Sequence, residues 1–196
     1  MRNNPHPFLG FGKELFMESL IIIILLIILL TIWVTSIRRR LLVLDENVDN
    51  AMNQIGIQIS SRFDVMTTLL NMAKGYADYE YVNQIEIIKA KRSVITAKSS
   101  PDDVLGQERA ISEALRCVAL VAGLYPELKA DEGYGRCIEA VKCYEKMVRT
   151  SSLIYNDSVA KLNNTIRMIP ARLVAGMLGF HQREYLDVSE KDKYII

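Results

Sequence analysis

The stretch Ser19–Ile37, SLIIIILLIILLTIWVTSI, decides the architecture predicted for this chain. Its nineteen residues carry no charge, and they are mainly isoleucine and leucine. An uninterrupted helix of this length rises roughly 28 Å, which is close to the thickness of the hydrocarbon core of a bilayer. Trp33 lies near one end, where aromatic rings favour the membrane–water interface. The stretch therefore predicts a transmembrane helix over residues 19–37.

A cleavable signal peptide and a buried core helix are the two alternatives to a retained anchor. A signal peptide needs a positive N-terminal region and small residues at its cleavage site. Here Lys13 is offset by Glu14 and Glu18, and the apolar run ends without alanine. A core helix that is apolar on every side would be too large for so small a soluble domain. We therefore expect a retained single-pass anchor.

The basic residues that flank the stretch predict its orientation. Arg38, Arg39 and Arg40 follow it directly, whereas the N-terminal side offers Lys13 and the more distant Arg2. The positive-inside rule counts lysine and arginine near the ends of the span. The excess on the C-terminal side predicts a cytoplasmic C-terminal domain and an N-terminus outside.

The composition of the rest of the chain excludes several classes of protein. The 196 residues include 24 Lys+Arg against 23 Asp+Glu, and no basic stripe predicts a nucleic-acid partner. Cys117, Cys137 and Cys143 form no CxxC pair, which favours reduced, apolar cysteines in the cytoplasm. His6 and His181 belong to no cluster, so we expect neither a metal nor another cofactor.

The positions of the residues that end helices, beyond the anchor, predict an all-α domain. Prolines are sparse after residue 40, and the three that remain, Pro101, Pro126 and Pro170, fall where helices should end. No stretch alternates as a β-strand would. The predicted helices cover 38–76 (continuous with the anchor), 80–98, 101–124 and 132–169. The predicted segments are an outer tail over 1–18, with residues 1–12 disordered, the helical domain over 38–169, an apolar membrane-proximal segment over 170–186 and a mobile tail over 187–196.

Two of these helices carry apolar residues at alternating steps of three and four. The first such seam runs from Leu41 to Tyr76, and the second runs from Ile138 to Ile169. The helix over 101–124 follows the same steps over a shorter length, from Val104 through Glu108 to Tyr125. A period of 3.5 residues is typical of left-handed bundles and coiled coils. The pattern predicts a long antiparallel four-helix bundle with coiled-coil-like packing, continuous with the transmembrane helix.

Polar residues interrupt both seams and suggest a contact between them. Arg62 lies in the first seam and Glu145 in the second. Because a charge buried alone costs several kcal/mol, two opposite charges on facing seams should pair. We predict an Arg62–Glu145 contact that fixes the register of the two helices. The alternative is that each side chain reaches the surface independently.

The segment after Pro170 is apolar, with one arginine near its start. If each helix reverses direction, the fourth helix ends near the bilayer, so the segment could lie at the membrane interface. It could equally fold back onto the base of the bundle. The candidate interface residues are Arg38, Arg39, Arg40, Arg172, Leu173, Met177, Leu178 and Phe180.

Several short motifs, in this order and spacing, resemble the LemA family. The first is NVDNAMNQIGIQ over residues 47–58, and the second runs from Leu69 to Lys74-Gly75-Tyr76. YPELKA over residues 125–130 follows, and Tyr155-Asn156 and the segment from Pro170 to Phe180 complete the set. The resemblance implies a bacterial membrane anchor with a cytoplasmic helical bundle, and it implies no enzymatic activity. Similar proteins are often encoded near membrane metalloproteases, which suggests a protease as a partner.

Four functions can be weighed against this architecture. A scaffold or adaptor that binds another protein, or itself, at the inner face of the bacterial cell membrane agrees best with long helices on a fixed anchor. A membrane-shaping or lipid-sensing protein that uses the juxtamembrane arginines and residues 170–180 is the alternative. No HExxH, GxSxG or phosphate-binding glycine loop predicts an enzyme. The outer tail is too short to form the sensing domain of a receptor.

Overall fold

The computed structural model describes residues 8–187, with side chains from Phe16 onward except that of Glu80. The first seven residues of the predicted outer tail, and all of the predicted mobile tail except Asp187, lie outside this range. Within it, the chain forms six α-helices and no β-strand, so the all-α prediction is confirmed. The helices are α1 (Phe8–Lys74), α2 (Tyr79–Ala90), α3 (Pro101–Leu124), α4 (Pro126–Ala130), α5 (Glu132–Arg167) and α6 (Ala171–Leu178).

Helix α1 joins the apolar stretch to the domain without a break. It extends over 67 residues, and every described side chain from Phe16 to Trp33 is exposed. This part is long enough and apolar enough to cross a membrane, with a mean hydropathy of 3.1 over its most apolar window. Because helix extension gains one hydrogen bond per residue, α1 also includes residues 8–12. The prediction that these five residues belong to a disordered tail is wrong.

Helices α1 and α5 form the centre of the domain and lie antiparallel. Gly133, at the start of α5, lies beside Met72 near the end of α1. Further along α5, Glu145 contacts Arg62. Most residues of the two predicted seams are buried, although Ile169 at the end of the second seam is 81% exposed. The packing centres on this pair rather than on four helices of similar length.

Helix α3 packs on α1 and α2 at the end of the domain that lies furthest from the apolar stretch. Its start is fixed by a capping box in which Ser100 and Asp103 exchange hydrogen bonds of 2.8 and 3.2 Å between side chain and backbone N–H. Pro101 occupies the first turn, where its missing N–H costs nothing. Val104, Ile111 and similar residues then bury one face of α3 in the core.

Helix α2 is shorter than the sequence predicts, because it ends at Ala90 and residues 91–100 are not helical. The side chain of Gln107 accepts a hydrogen bond from the Ser93 N–H (3.0 Å) and donates one to the Lys91 carbonyl (2.9 Å). Ile95 is 5% exposed, and its backbone presses against α1 at Gly56. The β-branched run Val94-Ile95-Thr96 also has a low helix propensity, so the prediction of helix to residue 98 is wrong.

Helix α6 and an extended segment complete the opposite end of the domain. Val174 and Ala175 of α6 are buried, and the helix packs against both α1 and α5. Gly179 ends α6 with a φ of 77°, a left-handed conformation that glycine adopts at little cost. Residues 180–187, which we call the strap, then run along α5 outside any helix.

Candidate functional site

A groove of about 310 Å³ lies between α1 and α5 on the described surface of the domain. Its walls combine amide, hydroxyl and apolar side chains with one lysine. The lining residues are Leu44, Asn47, Asn50, Ala51, Gln54, Ile154, Ser158 and Lys161. Ile154 is 54% exposed, so an apolar side chain faces solvent inside the groove.

The groove places hydrogen-bonding amides beside an exposed apolar side chain. Asn47, Asn50 and Gln54 follow one another at helical steps of three and four along α1. Each amide both donates and accepts hydrogen bonds, which matches the alternating groups of a peptide backbone. An apolar side chain beside such amides supplies area that a partner can bury.

Three other amides of this domain bind its own backbone in the same way. Asn163 donates to the Arg183 carbonyl and accepts from the Arg183 N–H, both at 2.9 Å. Asn156 does the same with Leu186, at 2.8 and 2.9 Å. Gln107 does so with the loop after α2, as described above. In each case one side-chain amide on a helix therefore forms hydrogen bonds with a backbone N–H and a backbone carbonyl of a non-helical segment.

The strap is also held at Glu184 and Leu186. The hydroxyl of Tyr155 donates to the Glu184 carbonyl at 2.9 Å, and Leu186 is 1% exposed. Burial raises the pKa of Tyr155 above its ordinary value, so the phenol stays protonated and able to donate at neutral pH. Because Asn163 meets Arg183 and Asn156 meets Leu186, the strap runs antiparallel to α5.

Arg183 ties the strap to α1. Its Nη2 lies 2.9 Å from an oxygen of Asp45 and 3.1 Å from one of Asp49. Burial alone would lower the pKa of Arg183, but the bonds to Asp45 and the charge of Asp49 outweigh it and raise the pKa. Sequence analysis missed this cluster, since a helical seam gives no signal for a residue outside the helices.

A second arginine, Arg62 of α1, is 3% exposed where α1 meets α3 and α5. Its Nη2 lies 3.0 Å from Glu145, so the structure brings together the two residues that the sequence pairs. Its Nη1 lies 2.7 Å from Glu108 of α3, a partner that the sequence analysis did not name. The repeat of apolar residues in α3 could have indicated it, because Glu108 replaces an apolar residue there. The arginine Nε and one Glu108 oxygen are buried without a hydrogen-bond partner among the described atoms.

The candidate interface residues occupy the other end of the domain. Arg38, Arg39, Arg40 and Arg172 are exposed. Leu173, Met177 and Leu178 are 68%, 88% and 43% exposed. Phe180 differs, because it is partly buried and packs against the core. The segment therefore folds onto the base of the domain through one face and leaves the other face free.

Comparison with known proteins identifies the family. The model of the LemA family matches residues 51–195, which is most of the chain. This chain belongs to the LemA family. No curated protein sequence gives a significant match. Among the described side chains of this LemA protein, no group of three or more His, Cys, Asp or Glu residues could hold a metal ion.

Proposed function

We propose that this LemA protein is a single-pass, membrane-anchored scaffold or adaptor that acts through protein–protein contacts and carries out no catalysis. It lies at the inner face of the bacterial cell membrane, with the N-terminus outside and the helical domain in the cytoplasm. The observation that carries the proposal is the open groove between α1 and α5, which sits on the same helix as the apolar stretch. A rigid helix of this kind presents a binding surface at a fixed distance from the bilayer.

The partner that fits the groove is a protein segment. Its amides match peptide backbone, and Ile154 offers an apolar contact. A membrane protease is one candidate, and a second copy of the chain, which would give a homo-oligomer, is another. Both would share the bilayer with the anchor, which raises their effective concentration at the groove.

Photocrosslinking in intact membranes tests this proposal. A photoreactive residue replaces Gln54, which lines the groove, and a matched one replaces Asn53, which is exposed but does not line the groove. We expect a defined protein adduct from position 54 and not from position 53. Adducts to a single foreign protein support an adaptor, and self-adducts support a homo-oligomeric scaffold. Identical products from both positions would contradict a groove-specific contact.

A charged residue introduced into the groove provides the corresponding test by loss of binding. Ile154→Glu should abolish the adduct, because it introduces an unpaired charge where the partner buries an apolar side chain. Ile87→Glu is the control, since Ile87 is 61% exposed on α2 and does not line the groove. Equal yields from the two variants would place the contact elsewhere.

The native Cys143 tests the proposed orientation. This thiol is exposed on α5. A membrane-impermeant maleimide should leave it unlabelled in intact spheroplasts and label it after permeabilisation. Labelling before permeabilisation would reverse the proposed topology.

A further inference from the structure

Four large apolar side chains project from the corner between α5 and α6. Met168 and Ile169 are 66% and 81% exposed, and Leu173 and Met177 are 68% and 88% exposed. The Arg172 N–H bonds to the Met168 carbonyl at 2.8 Å, so the end of α5 and the start of α6 form one continuous surface. We call these four residues the corner. Exposed apolar side chains in such a cluster mark an interaction surface.

The corner lies at the end of the domain from which the apolar stretch emerges. Helix α5 runs antiparallel to α1, so its C-terminus returns toward that stretch. The strap then leads away from the corner, since Arg183 meets Asn163 and Leu186 meets the earlier Asn156. Ile37, the last residue of the apolar stretch, already packs against the core. The domain therefore begins where the apolar stretch ends.

Four exposed arginines lie at this end of the domain. Arg172 neighbours Leu173 of the corner in the chain, and Arg38, Arg39 and Arg40 follow the apolar stretch. Apolar side chains that penetrate the headgroup region, flanked by arginines that meet anionic headgroups, are typical of interfacial membrane contacts. A protein partner would need no such match to the end of a transmembrane helix.

We propose that the corner inserts into the interfacial layer of the bilayer that the anchor spans, with anionic lipid as its ligand. The proposal rests on the membrane anchor of the proposed function and does not depend on any protein partner. The domain would then touch the membrane twice, once through α1 and once through α6. This second contact would fix the tilt of the α1–α5 pair relative to the membrane plane.

Tryptophan quenching by brominated lipids tests the insertion with the full chain reconstituted in vesicles. Trp33 is the single tryptophan of the chain, so its own quenching first reports whether the anchor is inserted. On a Trp33→Phe background, Met177→Trp or Ile169→Trp then places the probe at the corner. Tyr79→Trp is the matched control, because Tyr79 is 81% exposed at the start of α2, at the far end of the domain.

We expect both corner variants to lose emission in brominated vesicles, as the parent does through Trp33, while Tyr79→Trp keeps its emission. Phosphatidylglycerol should increase the loss relative to phosphatidylcholine alone, and Arg172→Glu should remove that increase. Quenching of the corner probes no stronger than that of the Tyr79→Trp control would overturn the proposal. The same lack of quenching would be seen if protein rather than lipid covered the corner, and it would overturn the proposal equally. An unquenched Trp33 would overturn the anchor as well, whereas failed crosslinking in the groove would leave this result unaffected.

Discussion

Two arginines of the domain each pair with two carboxylates, but in different surroundings. Arg62 lies 3% exposed between Glu108 and Glu145. The side chain of Arg183 is 38% exposed between Asp45 and Asp49. Partner count and distances are nearly equal, so solvent access is the difference. A buried ion pair is expensive to break, whereas an exposed one is screened and contributes little.

The two non-helical segments of the domain, the loop after α2 and the strap, are in contrast held in the same way. The loop after α2 is held by the amide of Gln107, and the strap is held by the amides of Asn156 and Asn163. Each amide satisfies one backbone N–H and one carbonyl. Non-helical chain can therefore lie on these helices without leaving its polar groups unpaired.

The largest expected effect is at Arg62. Arg62→Met should lower the free energy of unfolding by about 3–5 kcal/mol, because Glu108 loses its buried cation. Urea unfolding of the full chain in detergent measures this change. Replacing all three residues, as Arg62→Met with Glu108→Leu and Glu145→Leu, should restore most of the loss. Additive effects of Arg62→Met and Glu145→Met would show that this pair does not fix the register between α1 and α5.

Gly56 gives the next largest effect. Its Cβ would collide with the carbonyl of Ile95 in the loop after α2, a contact with backbone that cannot easily move. Gly56→Ala should therefore cost about 1–3 kcal/mol. Gly106→Ala is the control, since a Cβ there meets nothing within 4 Å and should gain up to about 1 kcal/mol. A neutral Gly56→Ala would mean that the loop can leave α1 freely.

Asn163→Ala tests the other non-helical segment, the strap. It leaves the N–H and carbonyl of Arg183 without partners, which should cost about 1–3 kcal/mol. Hydrogen exchange should accelerate at Arg183 and Leu186 while the centre of α1 stays protected. Asn164→Ala, at the neighbouring exposed position, should change neither quantity. Uniform acceleration over the whole domain would show that the strap is part of the global core.

The smallest effect is expected at Arg183. Arg183→Met should cost less than about 1 kcal/mol at low salt, and salt should reduce that cost further, because partly exposed charges are screened. The cost of Arg62→Met should barely respond to salt. Unfolding curves of both variants at low and high ionic strength make the comparison. A salt-independent cost at Arg183 would remove the distinction between the two clusters.

Helical periodicity explains how far the sequence could predict these features. Arg62 and Glu145 were found because both interrupt apolar seams, and a seam residue must face its neighbour. The loop after α2 and the strap follow no period, and tertiary contacts from Gln107, Asn156 and Asn163 hold them. Sequence spacing carries no information about which helix will offer such an amide. The groove was missed for a related reason. It exists because no other segment covers this part of α1 and α5, and the sequence pattern of the two helices does not show which of their surfaces stay uncovered.

The continuity of α1 fixes the direction in which the groove faces relative to the apolar stretch. Trp33 and Leu44 belong to one helix, so about 100° of rotation and 1.5 Å of rise per residue fix the angle between them. Adding one residue between Ile37 and Arg38 would turn the groove by about 100° around the helix axis. If α1 spans a bilayer as we propose, a partner in the same bilayer would reach the groove from one direction and at one distance from the membrane. The number of residues between the apolar stretch and the groove would then help to determine which proteins the proposed scaffold can bind.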